Sequence, residues 1–167
     1  SQEDQLETAV ENLEFSFSNA IYKLQEEKQK KVAVLSGNKE LLDIQLYSFL
    51  SEVTKKHRLA KFTLDSVATN SEKSLQNLQQ FDLAIIAKPT ESFTEKEKLV
   101  LDQYIMNGGK TLWMLENVQA DTDSLFKDGK MLAYPRDLNL TDFFFSYGLR
   151  INVTLIKDLY AAKIPLA

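Results

Sequence analysis

Few side chains in this sequence have the types and spacing that chemistry needs. Ser36-Gly37-Asn38 directly follows the apolar run Lys31-Val32-Ala33-Val34-Leu35. Lys88-Pro89-Thr90-Glu91 follows the run Asp82 to Ala87, and Glu116-Asn117 follows Lys110 to Leu115. Polar residues just beyond the carboxyl ends of buried strands are where α/β sheets bind ligands. A Gly-containing turn before a helix can seat an anion. Here Gly37 stands alone, so neither G-x-G-x-x-G nor a P-loop is present. The chemistry these residues support is binding. Ser36, Gly37, Asn38, Lys88, Thr90 and Glu116 are the candidate contacts for a small molecule or a glycan.

Covalent chemistry finds less. The 167 residues include no Cys and one His. Disulfides, thiolate nucleophiles, Cys/His zinc sites and His-centred triads are removed together. His57 follows Lys55-Lys56 and precedes Arg58 at the end of a helical pattern, where cations suit the helix dipole. A solvated surface position is its plainest reading. Glu91 and Glu116 both follow strand ends and could face each other across a cleft, as a hydrolytic pair would require; otherwise they are solvated loop acids. Asp121-Thr122-Asp123 lacks the Gly and distal Glu of a calcium loop. The expectation is a non-enzymatic chain with no metal and no cofactor. Its net charge of −4 argues against nucleic acid as a partner.

One segment is crowded with aromatics. Tyr134-Pro135-Arg136-Asp137-Leu138-Asn139-Leu140-Thr141-Asp142-Phe143-Phe144-Phe145-Ser146-Tyr147-Gly148 carries a run of three Phe. Neighbours on a helix lie about 100° apart, so the three cannot all face inward. Two readings stand. The aromatics cover an open sheet edge or the N-terminal helix, or they form a docking surface with Arg136, Asp137, Phe143, Phe144 and Tyr147 as its contacts. A docking role predicts that replacing Phe143 and Phe144 by Ala weakens assembly and spares folding. A core role predicts loss of folding.

The elements that must position these residues alternate in type. Leu6, Val10, Leu13, Phe17, Ile21 and Leu24 make one apolar stripe at helical spacing, which predicts a long amphipathic helix over residues 1–30. It either packs on the following domain or acts as a connector or dimerising helix. Residues 31–167 then read as strand Lys31–Leu35, helix Glu40–Lys56 with Leu42, Leu46, Phe49, Leu50 and Val53 inward, and strand Leu59–Leu64. A short helix capped at Asn70 or Ser71 runs to Leu78, and a central strand covers Asp82–Ala87. Thr94 and Glu97 have capping-box spacing for a helix to Asn107, ended by Gly108-Gly109. Lys110–Leu115 is the fourth strand, Gln119–Asp128 a broken helix, Thr141–Tyr147 a short helix closed by Gly148, and Arg150–Val153 a further strand. Such alternation predicts right-handed crossovers and a three-layer, doubly wound parallel sheet with flavodoxin-like order. The switch point would fall between the first and third strands.

Three stretches carry a family resemblance: Phe81 to Thr90, Leu101 to Lys110, and Ala133 to Asn152. With the leading helix they resemble the gliding-motility protein GldG family of Bacteroidota. The resemblance implies an auxiliary, substrate-binding-like component of an ABC transporter. It implies ATPase and permease partners, and a periplasmic position with membrane anchoring through other parts of the parent chain. The domain implied looks like class I glutamine amidotransferases and their non-enzymatic relatives, one of them in intraflagellar transport. The amidotransferase reaction needs a Cys nucleophile, which this chain lacks. Asp65-Ser66-Val67 and Asp123-Ser124-Leu125 resemble the three-residue O-glycosylation signal of such envelope proteins, a pattern short enough to recur by chance.

Overall fold

The computed structural model describes residues 2–25, 30–120, 132–154 and 160. The chain divides into two compact units, Ser1–Lys30 and Lys31–Ala167. The first holds helix α1, Gln2–Gln25. No Gly or Pro interrupts it, which is why it persists for 24 residues. No described helix is long and apolar enough to cross a membrane.

The second unit is an α/β fold around a four-stranded parallel sheet. Its strands are β1 (Lys31–Ser36), β2 (Arg58–Thr63), β3 (Leu83–Ala87) and β4 (Lys110–Met114), in the order β2-β1-β3-β4. The arrangement is flavodoxin-like, with the order reversing between β1 and β3. β1 registers Lys31 on Arg58 of β2 and Val32 on Leu83 of β3. Helices α2 (Asp43–Thr54), α3 (Ser71–Leu78) and α4 (Glu95–Met106) connect the strands. Right-handed crossovers put α2 on one face and the α3–α4 pair on the other.

Burial follows the strand period. Ala33, Leu35, Ala84 and Ile86 belong to the core that includes Leu78, Val100, Leu101 and Tyr104 from α3 and α4. The alternate residues Val32, Val34 and Ile85 are also buried, so β1 and β3 are covered on both faces. The local signals act as their chemistry requires. The Asn70 side chain accepts from Lys73 N at 2.9 Å and opens α3. Thr94 Oγ1 accepts from Glu97 N, and Glu97 Oε2 accepts from Thr94 N at 2.7 Å, opening α4. Gly108, at φ +92°, ends that helix.

The differences from expectation are local. α2 starts at Asp43, leaving Leu42 outside it as a 69% exposed N-cap residue. The apolar stripe is thereby cut short: Leu46 is buried, while Phe49 is exposed. Residues 118–120 are not helix. Strand β5 (Val118–Ala120) pairs antiparallel with β6 (Ala133–Pro135) in a separate two-stranded sheet. The rest of the expected Gln119–Asp128 helix lies outside the described residues. Arg150–Val153 forms no strand. Helix α5 occupies Thr141–Ser146, and Gly148 follows it at φ +74°.

Candidate functional site

The crevice between β1 and β3 is where the sheet topology directs a search. Its two loops are sewn to each other. The Asn38 carbonyl accepts from Thr90 N at 2.9 Å and Glu91 N at 3.0 Å. Thr90 Oγ1 donates to the Lys39 carbonyl at 3.1 Å. Lys39 pairs with Glu91, and Lys88 with Glu116, each at 2.7 Å. Lys39 and Lys88 both sit at φ +50°, in the left-handed region.

The structure therefore brings the expected ligand residues together and engages most of them internally. Asn38 is 3% exposed, and its Nδ2 faces Ser92 O and Glu97 Oε2 at 3.4 and 3.5 Å. Ser36 Oγ donates to Phe62 O at 3.4 Å, toward β2. Gly37, at φ +131°, leaves only 3.2 Å between a would-be Cβ and Asp65 Oδ1. Glu91 and Glu116, weighed as a hydrolytic pair, each face a lysine instead. Among the described residues no group of three His, Cys, Asp or Glu could hold a metal ion.

A buried carboxyl behind this crevice stands out. Glu40 Oε2 accepts from Asn38 N at 2.9 Å, yet Glu40 Oε1 and Asn38 Oδ1 are buried acceptors without a donor among the described residues. Burial pushes the Glu40 carboxyl above its ordinary range. The backbone N–H groups of Glu40, Asn38 and Gly37 pull it down, and the charge of Glu97 adds to the rise. A carboxyl raised on folding favours the native state in its protonated form. That stability is complete below the unfolded value and is lost as pH climbs through the folded one. Glu40→Gln removes the titration. The melting temperature of the parent relative to the variant should rise as pH is lowered from 7 to 4. A constant gap across that range would refute the assignment.

The aromatic segment has a different geometry from a docking patch. Phe143 and Phe144 are each 7% exposed. Their rings lie 5.6 and 5.1 Å from that of Trp113 on β4, and Phe93 closes on Trp113 from 5.8 Å. These two side chains are core, and they cover the β4 side of the sheet. The outward residue of the run is Phe145, 72% exposed. Tyr147 donates to Asp102 Oδ1 at 2.6 Å; burial, then the Asp102 bond and charge, push its phenol up to about 12. Asp137 Oδ1 accepts from Asn139 N, and Asn139 Nδ2 reaches Phe93 O at 2.9 Å.

Arg136 is placed unlike any of these. Its backbone N–H donates to Asn117 O at 2.8 Å, just beyond β4. Arg136 lines a cleft of about 220 Å³ with Leu140, Phe144, Ile151, Val153 and Arg150. Sequence reasoning placed Arg136 in a docking surface and missed the cleft, because β5 and β6 are three-residue strands, too short for a period-2 signal. His57, read as solvated, is half-buried, and its Nδ1 is buried with no partner among the described residues. Ser66 of the first glycosylation-like triplet is hydrogen-bonded through Oγ to Ser74 Oγ at 3.0 Å. The second triplet lies outside the described residues.

Fold and site together define a flavodoxin-like α/β domain whose switch-point loops are locked by their own hydrogen bonds and ion pairs. Residues 29–167 match the family described as ABC-type uncharacterized transport system, and the chain belongs to that family. No curated protein sequence matches the chain. A solved structure described as the mmIFT52 N-terminal domain is similar at 28% identity and a TM-score of 0.42, over 51% of this chain and 35% of that one. The match thus spans about a third of the length of that solved chain.

Proposed function

We propose that this chain is a non-catalytic interaction and ligand-sensing component of an envelope ABC-transport complex of the gliding-motility GldG type. It acts on the periplasmic side of the inner membrane, anchored through parts of the parent protein other than this domain. Its partners are the ATPase and permease of the complex. The family match over residues 29–167 carries this reading. The resemblance at Phe81–Thr90, Leu101–Lys110 and Ala133–Asn152 supports the finer assignment.

The mechanism is binding. The lysines and acids at the switch point face each other rather than a substrate, and Asn38 holds two loops in place. Phe145, exposed beside the buried Phe143 and Phe144, is the ring of that Phe run available for docking. The test is affinity capture of the intact parent protein from its own membranes. Co-purification of an ABC ATPase and a permease is the expected result. Recovery of the parent in the soluble cytoplasmic fraction, or from membranes without either subunit, would overturn the proposal.

A further inference from the structure

We infer that the cleft between the end of β6, helix α5 and residues 149–153 binds a carboxylate carrying a compact apolar group, held by Arg136. The first observation is electrostatic. Arg136 Nε and Nη1 are buried and meet no acceptor among the described residues. Burying donors of a charged group without acceptors is costly, and native proteins rarely tolerate it without a reason. The backbone on either side is pinned, by Arg136 N to Asn117 O and by Ser92 Oγ to Asp137 O at 2.6 Å. Arg136, anchored by this backbone, is itself a lining residue of the cleft. A planar guanidinium with unused donors suits the paired oxygens of a carboxylate.

The second observation is the shape and charge of the cleft. Leu140 and Phe144, both buried, form apolar wall, and Ile151 and Val153 extend it to the rim. The ionisable lining is Arg136 and Arg150 against Asp137, one net positive charge, which matches a monoanion better than a dianionic phosphate. The volume of about 220 Å³ exceeds the roughly 150 Å³ in which a dry protein cavity holds benzene. A branched aliphatic or single-ring group matches that volume beside the carboxylate. Such a ligand is either a free small acid or the C-terminal residue of a polypeptide.

The test uses the 167-residue chain with calorimetric titration and thermal melting. The probes are N-acetyl-leucine, N-acetyl-phenylalanine, the amides of both, and a hexapeptide ending in Leu with a free or an amidated terminus. The carboxylates should bind at least tenfold more tightly than the amides. Arg136→Met should lose that binding, and Arg136→Lys should weaken it. Arg136→Met should also raise the melting temperature of the unliganded chain by about 2–4 °C, because an unpaired buried charge is replaced by a side chain of similar volume. Binding of the hexapeptide alone assigns the cleft to a chain terminus, and binding of the free acids alone assigns it to a metabolite; both support the site. Absence of binding at millimolar carboxylate, equal binding of the amides, unchanged binding by Arg136→Met, or a lower melting temperature for that variant would each overturn it. None of these failures touches the transport-complex proposal, whose test does not depend on this cleft.

Discussion

Phe144→Ala should destabilise the α/β unit by about 3–5 kcal/mol, the range for truncating a buried aromatic. Phe144 is 7% exposed and stacks edge-on against Trp113 at 5.1 Å and against Phe143 at 5.5 Å. Removing its ring strips a neighbour from both. Domains of this size are stable by only ~5–15 kcal/mol, so the loss consumes much of the margin. Urea denaturation followed by Trp113 fluorescence measures it directly, because Trp113 is the only tryptophan. Phe145→Ala is the internal contrast: its ring is 72% exposed, and its removal should shift stability by less than about 0.5 kcal/mol. Equal small effects at both positions would restore the docking role for Phe144.

Gly109→Ala is expected to cost about 3 kcal/mol, by overpacking instead of a cavity. A Cβ at Gly109 would fall within 2.5 Å of both Cε atoms of Tyr104 and closer still to its Cζ. The ring cannot step aside. It is 1% exposed, and its hydroxyl donates to Phe81 O at 3.0 Å. Gly109 N also donates to the Tyr104 carbonyl at 2.9 Å, so backbone and ring are held together. Gly108 needs glycine for another reason: its φ of +92° is strained for any other residue, although a Cβ there meets nothing. The clash account makes a sharp claim for a double-mutant cycle. Tyr104→Leu combined with Gly109→Ala should cost less than the two single changes added together. Strict additivity, or a Gly109→Ala variant as stable as the parent, would show that the close approach has no energetic weight.

Much of the scaffold was legible beforehand, for reasons that remain local. Thr94 and Glu97 cap α4 because the two groups that bond each other are three residues apart. Asn70 opens α3, and Gly108 and Gly148 close α4 and α5, through preferences that belong to single residues. The doubly covered strand at Leu83–Ala87 announced itself by unbroken hydrophobicity. The site was less legible. Polar residues after strands were expected to face a ligand. Asn38, Lys88 and Glu116 instead meet partners that come from other loops, and pairing across more than twenty positions leaves no periodic trace. The same applies to β5 and β6, which pair Val118 with Pro135 over a long separation.

By itself the sequence determined the element types from β1 through β4, the parallel order and the absence of a thiol, since each depends on residue identity or short-range spacing. Only the tertiary structure decided which polar groups were already taken. Switch-point lysines found acids, Phe143 and Phe144 found Trp113, and Arg136 Nε and Nη1 were buried with no acceptor among the described residues. Whether a side chain is satisfied depends on what stands within about 3 Å of it in space. Distant segments supply those neighbours, and folding alone brings them together.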